Sequence, residues 1–254
     1  MYDEISKKVS FILDHILKNP AVFFNEGDIQ AMFYTELRQI ERLKKLYKTG
    51  CTIGKNQNDV VSKQCYKTYL IHREYGINWG CQEQEKPKHR ADLVIFNEHD
   101  IKSITHPLDL KKEDNSYLEP DYIFEFGTEK SAGSADVFGA HIKNDLKKLM
   151  TANKRGFIIH VQRNYLLRGH SSANKEKYDK YISQIVENIN RISGQTGSSK
   201  IIPLIFKVDI GNPGKRIVRK GKIQMFNGKK MKGINQKKLR ESINEYLGMH
   251  TELN

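Results

Sequence analysis

Apolar residues recur along this chain in two patterns, at helical spacing in some segments and in short unbroken runs in others. Spacings of three and four residues predict helices over residues 3–18, 27–47, 136–152 and 175–192. Short runs rich in Val, Ile, Phe and Tyr predict buried strands over residues 69–79, 90–96, 120–126, 156–163 and 201–208. A strand, helix and strand in this order favour a right-handed crossover with parallel pairing. The pattern therefore predicts an α/β fold.

Two polar segments interrupt this pattern. Residues 48–68 contain several Gly and Asn and predict a loop, with room for a short helix around residues 60–66. Residues 97–119, rich in Asp, Lys and Asn, predict either a β-hairpin extension or a disordered loop. We expect one core over residues 1–199. Residues 200–254 predict basic strands and a final helix, packed on the same domain or forming a small basic subdomain.

Positive charge is concentrated in two segments. The formal net charge is +13, and residues 200–254 hold 13 Lys and Arg against 4 Asp and Glu. Residues 142–180 hold 10 against 3. Clustered positive charge is typical of proteins that bind the phosphate backbone of nucleic acids, and the alternative is a solvated surface in a Lys-rich protein. The predicted nucleic-acid contacts are Lys143, Arg163, Arg168, Arg216, Arg219 and Lys220.

The cellular setting is indicated by what the chain lacks. No segment approaches the run of about 18 apolar residues that a membrane span needs, so no membrane association is expected. The N-terminal residues 1–8 lack the apolar core of a signal peptide. The three Cys have no paired spacing, which favours a reducing cytoplasm.

Two acidic residues stand inside predicted core strands. Asp92 lies in the strand at 90–96, and Glu125 lies in the strand at 120–126. Two carboxylates about 4 Å apart would repel by about 4 kcal/mol at an effective dielectric near 20. A divalent cation reverses the sign of that interaction, and Mg²⁺ prefers hard oxygen ligands. The sequence therefore predicts a metal-dependent phosphodiesterase centre on these two strands.

The motif formed by these residues resembles that of the PD-(D/E)xK nuclease superfamily. Asp92 occurs in His-Arg-Ala-Asp-Leu-Val-Ile-Phe, with Ala91 where the family usually has Pro. Glu125 matches the acidic residue of the second motif strand, and Gly127 stands where the family has Lys. The resemblance spans roughly residues 28–165. It implies a restriction-endonuclease-like fold, in which helices flank a mixed central sheet, and a Mg²⁺-dependent endonuclease that cuts DNA, with Mn²⁺ as a substitute metal.

The resemblance also assigns roles to other residues. Glu36, on the second predicted helix, is expected to join Asp92 and Glu125 as a metal ligand, whereas a Glu on such a helix is otherwise an exposed ion-pair partner. Gly127 is expected to leave open space beside Glu125. Lys130 is the expected replacement for the missing cation, followed by Lys143 on the next helix, and Glu129 is an acidic substitute. These roles are catalytic for Glu125 and Lys130.

The strand at 156–163 adds two further candidates. Gln162 resembles the Gln that orients a phosphate or a water in some branches of the family, and it is included as a catalytic residue; otherwise it is a strand-end amide. His160 lies two positions earlier on the same face, and a satisfied core histidine is the expected role.

Two functions follow from these residues. The first is a DNA endonuclease, and the resemblance suggests restriction or another anti-phage or mobile-element defence. The second is a catalytically degenerate nucleic-acid-binding protein on the same fold, which Gly127 favours. DNA is the expected partner, and RNA would suit the same basic surface. Restriction-type nucleases are often dimers, so the resemblance suggests a homodimer or a partner subunit of a larger system.

Overall fold

A mixed seven-stranded sheet forms the centre of the protein in the computed structural model. The structure describes residues 1–19, 25–55, 61–76, 90–103, 118–128, 145, 149, 155–163, 204–210, 221–226 and 231–249. The strands of this sheet are β3 (Ile71–Gly76), β4 (Arg90–Ile95), β5 (Tyr122–Thr128), β6 (Arg155–Arg163), β7 (Leu204–Ile210), β8 (Lys222–Phe226) and β9 (Met231–Ile234). They are hydrogen-bonded in chain order, with β5, β6 and β7 parallel and the outer pairs antiparallel.

Helices precede, interrupt and follow the sheet in sequence. Within the described residues they are α1 (Tyr2–Lys18), α2 (Glu26–Leu37), α3 (Glu41–Lys44), α4 (Glu98–Ser103) and α5 (Gln236–Met249). Helix α2 begins with a reciprocal capping box, in which Asn25 accepts from the Asp28 N–H and the Asp28 carboxylate accepts from the Asn25 N–H. No helix in the described part of the chain is long and apolar enough to cross a membrane.

The prediction of an α/β fold with a mixed sheet flanked by helices is confirmed. The predicted parallel pairing of the strands at 120–126 and 156–163 is confirmed by the register from Tyr122–Arg155 to Thr128–Val161. Of the predicted helix at 136–152, the structure describes Asp145 and Leu149, and both are helical and buried. The predicted helix at 175–192 lies outside the described residues.

One face of the central sheet is aromatic. Phe124 and Phe126 on β5 and Phe157 on β6 form this aromatic face, with the Phe124 and Phe157 rings stacked at 4.6 Å. Phe33 of α2 packs on Phe126 with ring centroids 4.8 Å apart. Tyr246 of α5 meets Phe157 edge-on, and its hydroxyl donates to the Gly156 carbonyl at 3.2 Å. Burial raises the pKa of Tyr246, which keeps that hydroxyl protonated.

Strands β1 (Tyr47–Lys55) and β2 (Val61–Thr68) form a separate two-stranded antiparallel sheet, which we call the ribbon. The prediction of a loop over residues 48–68 was wrong. The ribbon lacks the alternation of apolar and polar residues that marks a half-buried strand, so its sequence carries no strand signal. Its register sets Cys51 opposite Cys65, a pairing that their sequence spacing did not indicate.

Three other predicted elements differ from the structure. The single helix predicted over 27–47 is broken, because the backbone is extended at Ile40, and Ile40 and Leu43 are both buried in the core. Residues 98–103 of the predicted polar excursion form α4. Residues 228–233, where two Gly flank a basic run that predicts a turn, overlap β9, which extends the edge of the sheet.

Candidate active site

The ladder between β4 and β5 ends where the acidic residues stand. It consists of three pairs, and Leu93–Phe124 is the last of them. Continuing this register by one pair sets Asp92 opposite Glu125. At that level the Asp92 carboxylate Oδ2 accepts a hydrogen bond of 2.7 Å from the Phe126 backbone N–H. At this point a hydrogen bond to the Asp92 side chain replaces the backbone hydrogen bonds of the ladder, and we call it the fork.

Glu125 and its neighbours lie on the face of the sheet opposite the aromatic face. Side chains alternate along a strand, so Glu125 and Gly127 share one face while Phe124 and Phe126 occupy the other. Register partners share a face as well. The polar face therefore carries Asp92, Glu125, Gly127 and His160. Glu125 is only 1 % exposed, and an ionised carboxylate at that depth is costly unless a positive or donor group meets it.

The residues at the fork suit a divalent cation. Asp92 and Glu125 are adjacent carboxylates on rigid strands, and carboxylate oxygens are the donors that Mg²⁺ prefers. Among the residues that the structure describes, no group of three or more His, Cys, Asp and Glu is placed to hold a metal ion. Mg²⁺ commonly keeps several waters and binds through one or two carboxylates plus substrate phosphates. The donor set of two carboxylates therefore fits Mg²⁺.

The space beside Gly127 is filled by His160. The prediction that Gly127 leaves open space beside Glu125 was wrong: an ideal Cβ at Gly127 would lie 2.5–2.9 Å from atoms of the His160 ring. His160 is the register partner of Gly127 on β6 and is 2 % exposed. An imidazole thus occupies the place where a side chain at position 127 would project.

Gln30 of α2 forms hydrogen bonds both to the fork and to the neighbouring strand β3. Its Nε2 donates to the Asp92 backbone carbonyl at 2.5 Å and to Glu74 Oε1 at 2.8 Å. Its Oε1 accepts from Arg73 Nη2 at 2.5 Å. Gln30 is 5 % exposed. Sequence reasoning missed this residue, because a Gln on an amphipathic helix carries no signal for a contact made 62 positions away.

Glu74, one of the residues that contact Gln30, has an unusual backbone conformation. Its φ is +51°, in the left-handed region that non-glycine residues rarely adopt. Consecutive residues of a regular strand face opposite ways, yet Arg73 and Glu74 both contact Gln30. The left-handed turn at Glu74 accounts for that exception. Strain of about 1–3 kcal/mol at such a residue persists only where surrounding contacts hold it.

Glu36 is not brought to the fork. Its Oε2 accepts from Lys8 Nζ of α1 at 2.9 Å, and its Oε1 accepts from Gln39 at 3.4 Å. The half-buried Lys8–Glu36 ion pair links α1 to α2. The three-carboxylate set of Glu36, Asp92 and Glu125 is therefore not assembled in this structure. Glu36 instead has the ion-pair role that was the alternative, and its partner is Lys8.

The remaining predicted site residues are only partly covered by the structure. The backbone of Gln162 lies in β6 opposite Asp209 of β7, two residues beyond His160 and on the same face. Arg163 ends β6. The others lie outside the described residues: Lys130, Lys143, Arg168, Arg216, Arg219 and Lys220.

Comparison of the chain with protein-family models, with curated proteins and with solved structures finds no match. The case for a function is therefore made from the residues and the geometry.

Proposed function

We propose that this protein is a Mg²⁺-dependent endonuclease with a restriction-endonuclease-like fold that hydrolyses phosphodiester bonds of DNA. One observation carries the proposal: the β4–β5 register, continued by one pair, sets Asp92 opposite Glu125 on one face of a mixed sheet, at the fork. Two carboxylates at such positions repel each other, and a divalent cation between them reverses the sign of that interaction. The net charge of +13 supports a polyanionic substrate, and defence against phage or mobile elements is the proposed setting.

Asp92 and Glu125 would hold the metal ion. The Phe126 N–H orients the Asp92 carboxylate, and Gln30 fixes the Asp92 backbone through its carbonyl. Glu125 is held by a strand that is paired with β6 along its whole length. When bound, Mg²⁺ lowers the pKa of a coordinated water and stabilises negative charge on the phosphate.

Hydrolysis also needs a group that accepts the proton of the attacking water or that orients this water. Lys130, just beyond β5, is the group that the resemblance implies. His160 is a second candidate, because its ring fills the position next to Glu125 that a Lys at 127 would fill. A neutral imidazole can accept a proton from water, and an imidazolium can stabilise the charge on the phosphate. Gln162, two residues beyond His160, is proposed to orient the water or a phosphate oxygen.

A catalytically degenerate DNA-binding protein is the alternative function. The observation that favours it is the packing at Gly127, where the His160 ring leaves no room for the motif Lys. In this alternative the protein keeps its positive charge and its sheet and binds DNA, but it does not cleave the DNA. It predicts DNA binding that is unaffected by Mg²⁺ and by substitutions at the fork.

Cleavage assays with plasmid and single-stranded DNA test the proposal. Wild type is expected to cut in Mg²⁺ or Mn²⁺ and not in EDTA. Asp92→Asn and Glu125→Gln remove a negative ligand with little change in size, so each should lower the cleavage rate about 100-fold or more. Calorimetric titration of Mn²⁺ gives a second reading, since both variants should bind the metal more weakly than wild type does.

Glu36→Gln is the matched control for these variants. It makes the same chemical change at a carboxylate that contacts Lys8 instead of the fork, so cutting should be retained. A large loss with Glu36→Gln would restore the predicted role of Glu36 as a ligand. Cutting that survives both Asp92→Asn and Glu125→Gln would refute the proposed site. Binding without any cutting by wild type would favour the degenerate protein.

A further inference from the structure

The ribbon carries its charge on one face. Its strands contain four Lys and no Asp or Glu. The register sets Lys48 opposite Lys67, Lys63 opposite Ile53, and Lys55 opposite Val61. Residues 61, 63 and 67 share one face of β2 by alternation, and register partners share a face across the pair. All four lysines therefore belong to one face, which we call the basic face of the ribbon.

The other face of the ribbon is uncharged. Its register pairs are Tyr47–Thr68, Thr52–Gln64 and Gly54–Ser62. Tyr47 of this face packs against the hydrophobic core, whereas Lys48 and Lys67 are exposed, so the basic face is the one turned to solvent. An exposed face of one charge sign is suited to a negatively charged partner.

Lys48 and Lys67 give this face its clearest feature. They are direct cross-strand partners, and both side chains are exposed. Like charges placed directly opposite each other destabilise a strand pair. Within the residues described, neither ammonium is within ion-pair distance of a carboxylate. A bound polyanion would remove the repulsion between them.

The surface that adjoins the end of β2 is also basic and aromatic. Tyr69 follows the last residue of β2, and the Arg38 guanidinium lies 3.9 Å above its ring. Arg38 and Lys44 line a surface cavity of about 340 Å³ at the end of α2. Because Gln30 of the same helix contacts the fork, α2 joins this cavity to the candidate active site.

We infer that the ribbon docks in the major groove of duplex DNA. The major groove of B-form DNA is about 12 Å wide and admits a two-stranded ribbon. The register pairs that contain a lysine extend along β2 from Lys67 to Val61, the partner of Lys55. This distance is six residues, or roughly 20 Å of strand, so the basic face can reach several phosphates. The inference rests on the proposed function only because it takes DNA as the ligand. The ribbon is a new surface, since none of the nucleic-acid contacts predicted from the sequence lies on it.

Binding of a fluorescent DNA duplex to the full chain in EDTA, at several NaCl concentrations, tests the ribbon without cleavage. The variant is Lys48→Gln with Lys67→Gln. We expect about a tenfold or larger loss of affinity and a salt slope smaller by about 1.8, since each lost phosphate contact contributes about 0.9. The matched control is Lys237→Gln with Lys238→Gln, which removes two exposed lysines from α5 and should leave the salt slope unchanged.

Several results would overturn the inference. One is unchanged affinity and salt slope in the ribbon variant, and another is an equal loss in the α5 control. A third is strong competition by an RNA duplex, whose deep and narrow major groove cannot take the ribbon. The variant should melt at the same temperature as wild type or slightly above it, because it removes a like-charge pair. Binding by wild type without cutting would refute the nuclease proposal and leave the ribbon inference standing.

Discussion

Strand β5 has two faces that differ completely in what they contribute. Phe124 and Phe126 on the aromatic face pack on Phe33 and Phe157. Glu125 and Gly127 on the polar face lie beside Asp92 and His160. The residues alternate one by one, so the same backbone serves both faces. Stability is concentrated on the first face, and the second retains groups that are costly to bury, which is typical of a functional site.

Phe126→Ala should have the largest effect on stability. It removes a fully buried ring that contacts Phe33 at 4.8 Å, so the free energy of unfolding should fall by about 3–5 kcal/mol. Urea denaturation measures this change. Glu125→Gln is the comparison on the same strand: it keeps the volume of the side chain and opens no cavity, so it should lower the free energy of unfolding much less than Phe126→Ala does. A larger loss with Glu125→Gln than with Phe126→Ala would reverse the roles assigned to the two faces.

Gly127→Ala should have the next largest effect. The new Cβ would lie 2.5–2.9 Å from the His160 ring, so overpacking should cost about 1–3 kcal/mol. The measurement is a double-mutant cycle by urea denaturation. His160→Ala removes the ring, so the cost of Gly127→Ala should nearly vanish in the double variant. An equal cost with and without the ring would mean that the His160 contact does not account for the Gly at 127.

The packing at Gly127 shows where prediction from the sequence ends. The β-branched and aromatic runs around Asp92 and Glu125 predicted β4 and β5, and the acidic residues within them indicated these two strands as the place of a candidate site. The insertion of His160 depends on the parallel register of β5 and β6, which no local pattern encodes. The ribbon was missed because an exposed strand pair needs no apolar face. Glu36 was misplaced because its helical face could be inferred but its partner on α1 could not.

Gln30→Ala should have a moderate effect on both the stability of the protein and its metal binding. It removes the donor to the Asp92 carbonyl and the contacts to Arg73 and Glu74. Arg73 and Glu74 are exposed and can turn to water, so the expected loss is about 1–2 kcal/mol. Because Gln30 fixes the backbone of Asp92, calorimetry should also show weaker Mn²⁺ binding. Gln236→Ala, an exposed change at the start of α5, is the control and should alter neither quantity.

The smallest expected effect is a pH dependence of stability from His72, which lies on the side of β3 opposite Arg73. Burial lowers the pKa of this imidazole, although its contact with the Tyr69 carbonyl at 2.9 Å acts in the other direction. The unfolded chain, whose His72 has an ordinary pKa near 6.5, therefore binds more protons than the folded chain as the pH falls. The stability from this group is present above pH ~6.5 and decreases as the pH falls through the unfolded pKa toward the folded one. Unfolding free energies measured across this range should fall toward low pH in wild type and fall less in His72→Gln. Phe126→Leu, on the aromatic face, should lower the whole curve without changing its slope, whereas a changed slope there would show that the two faces are coupled.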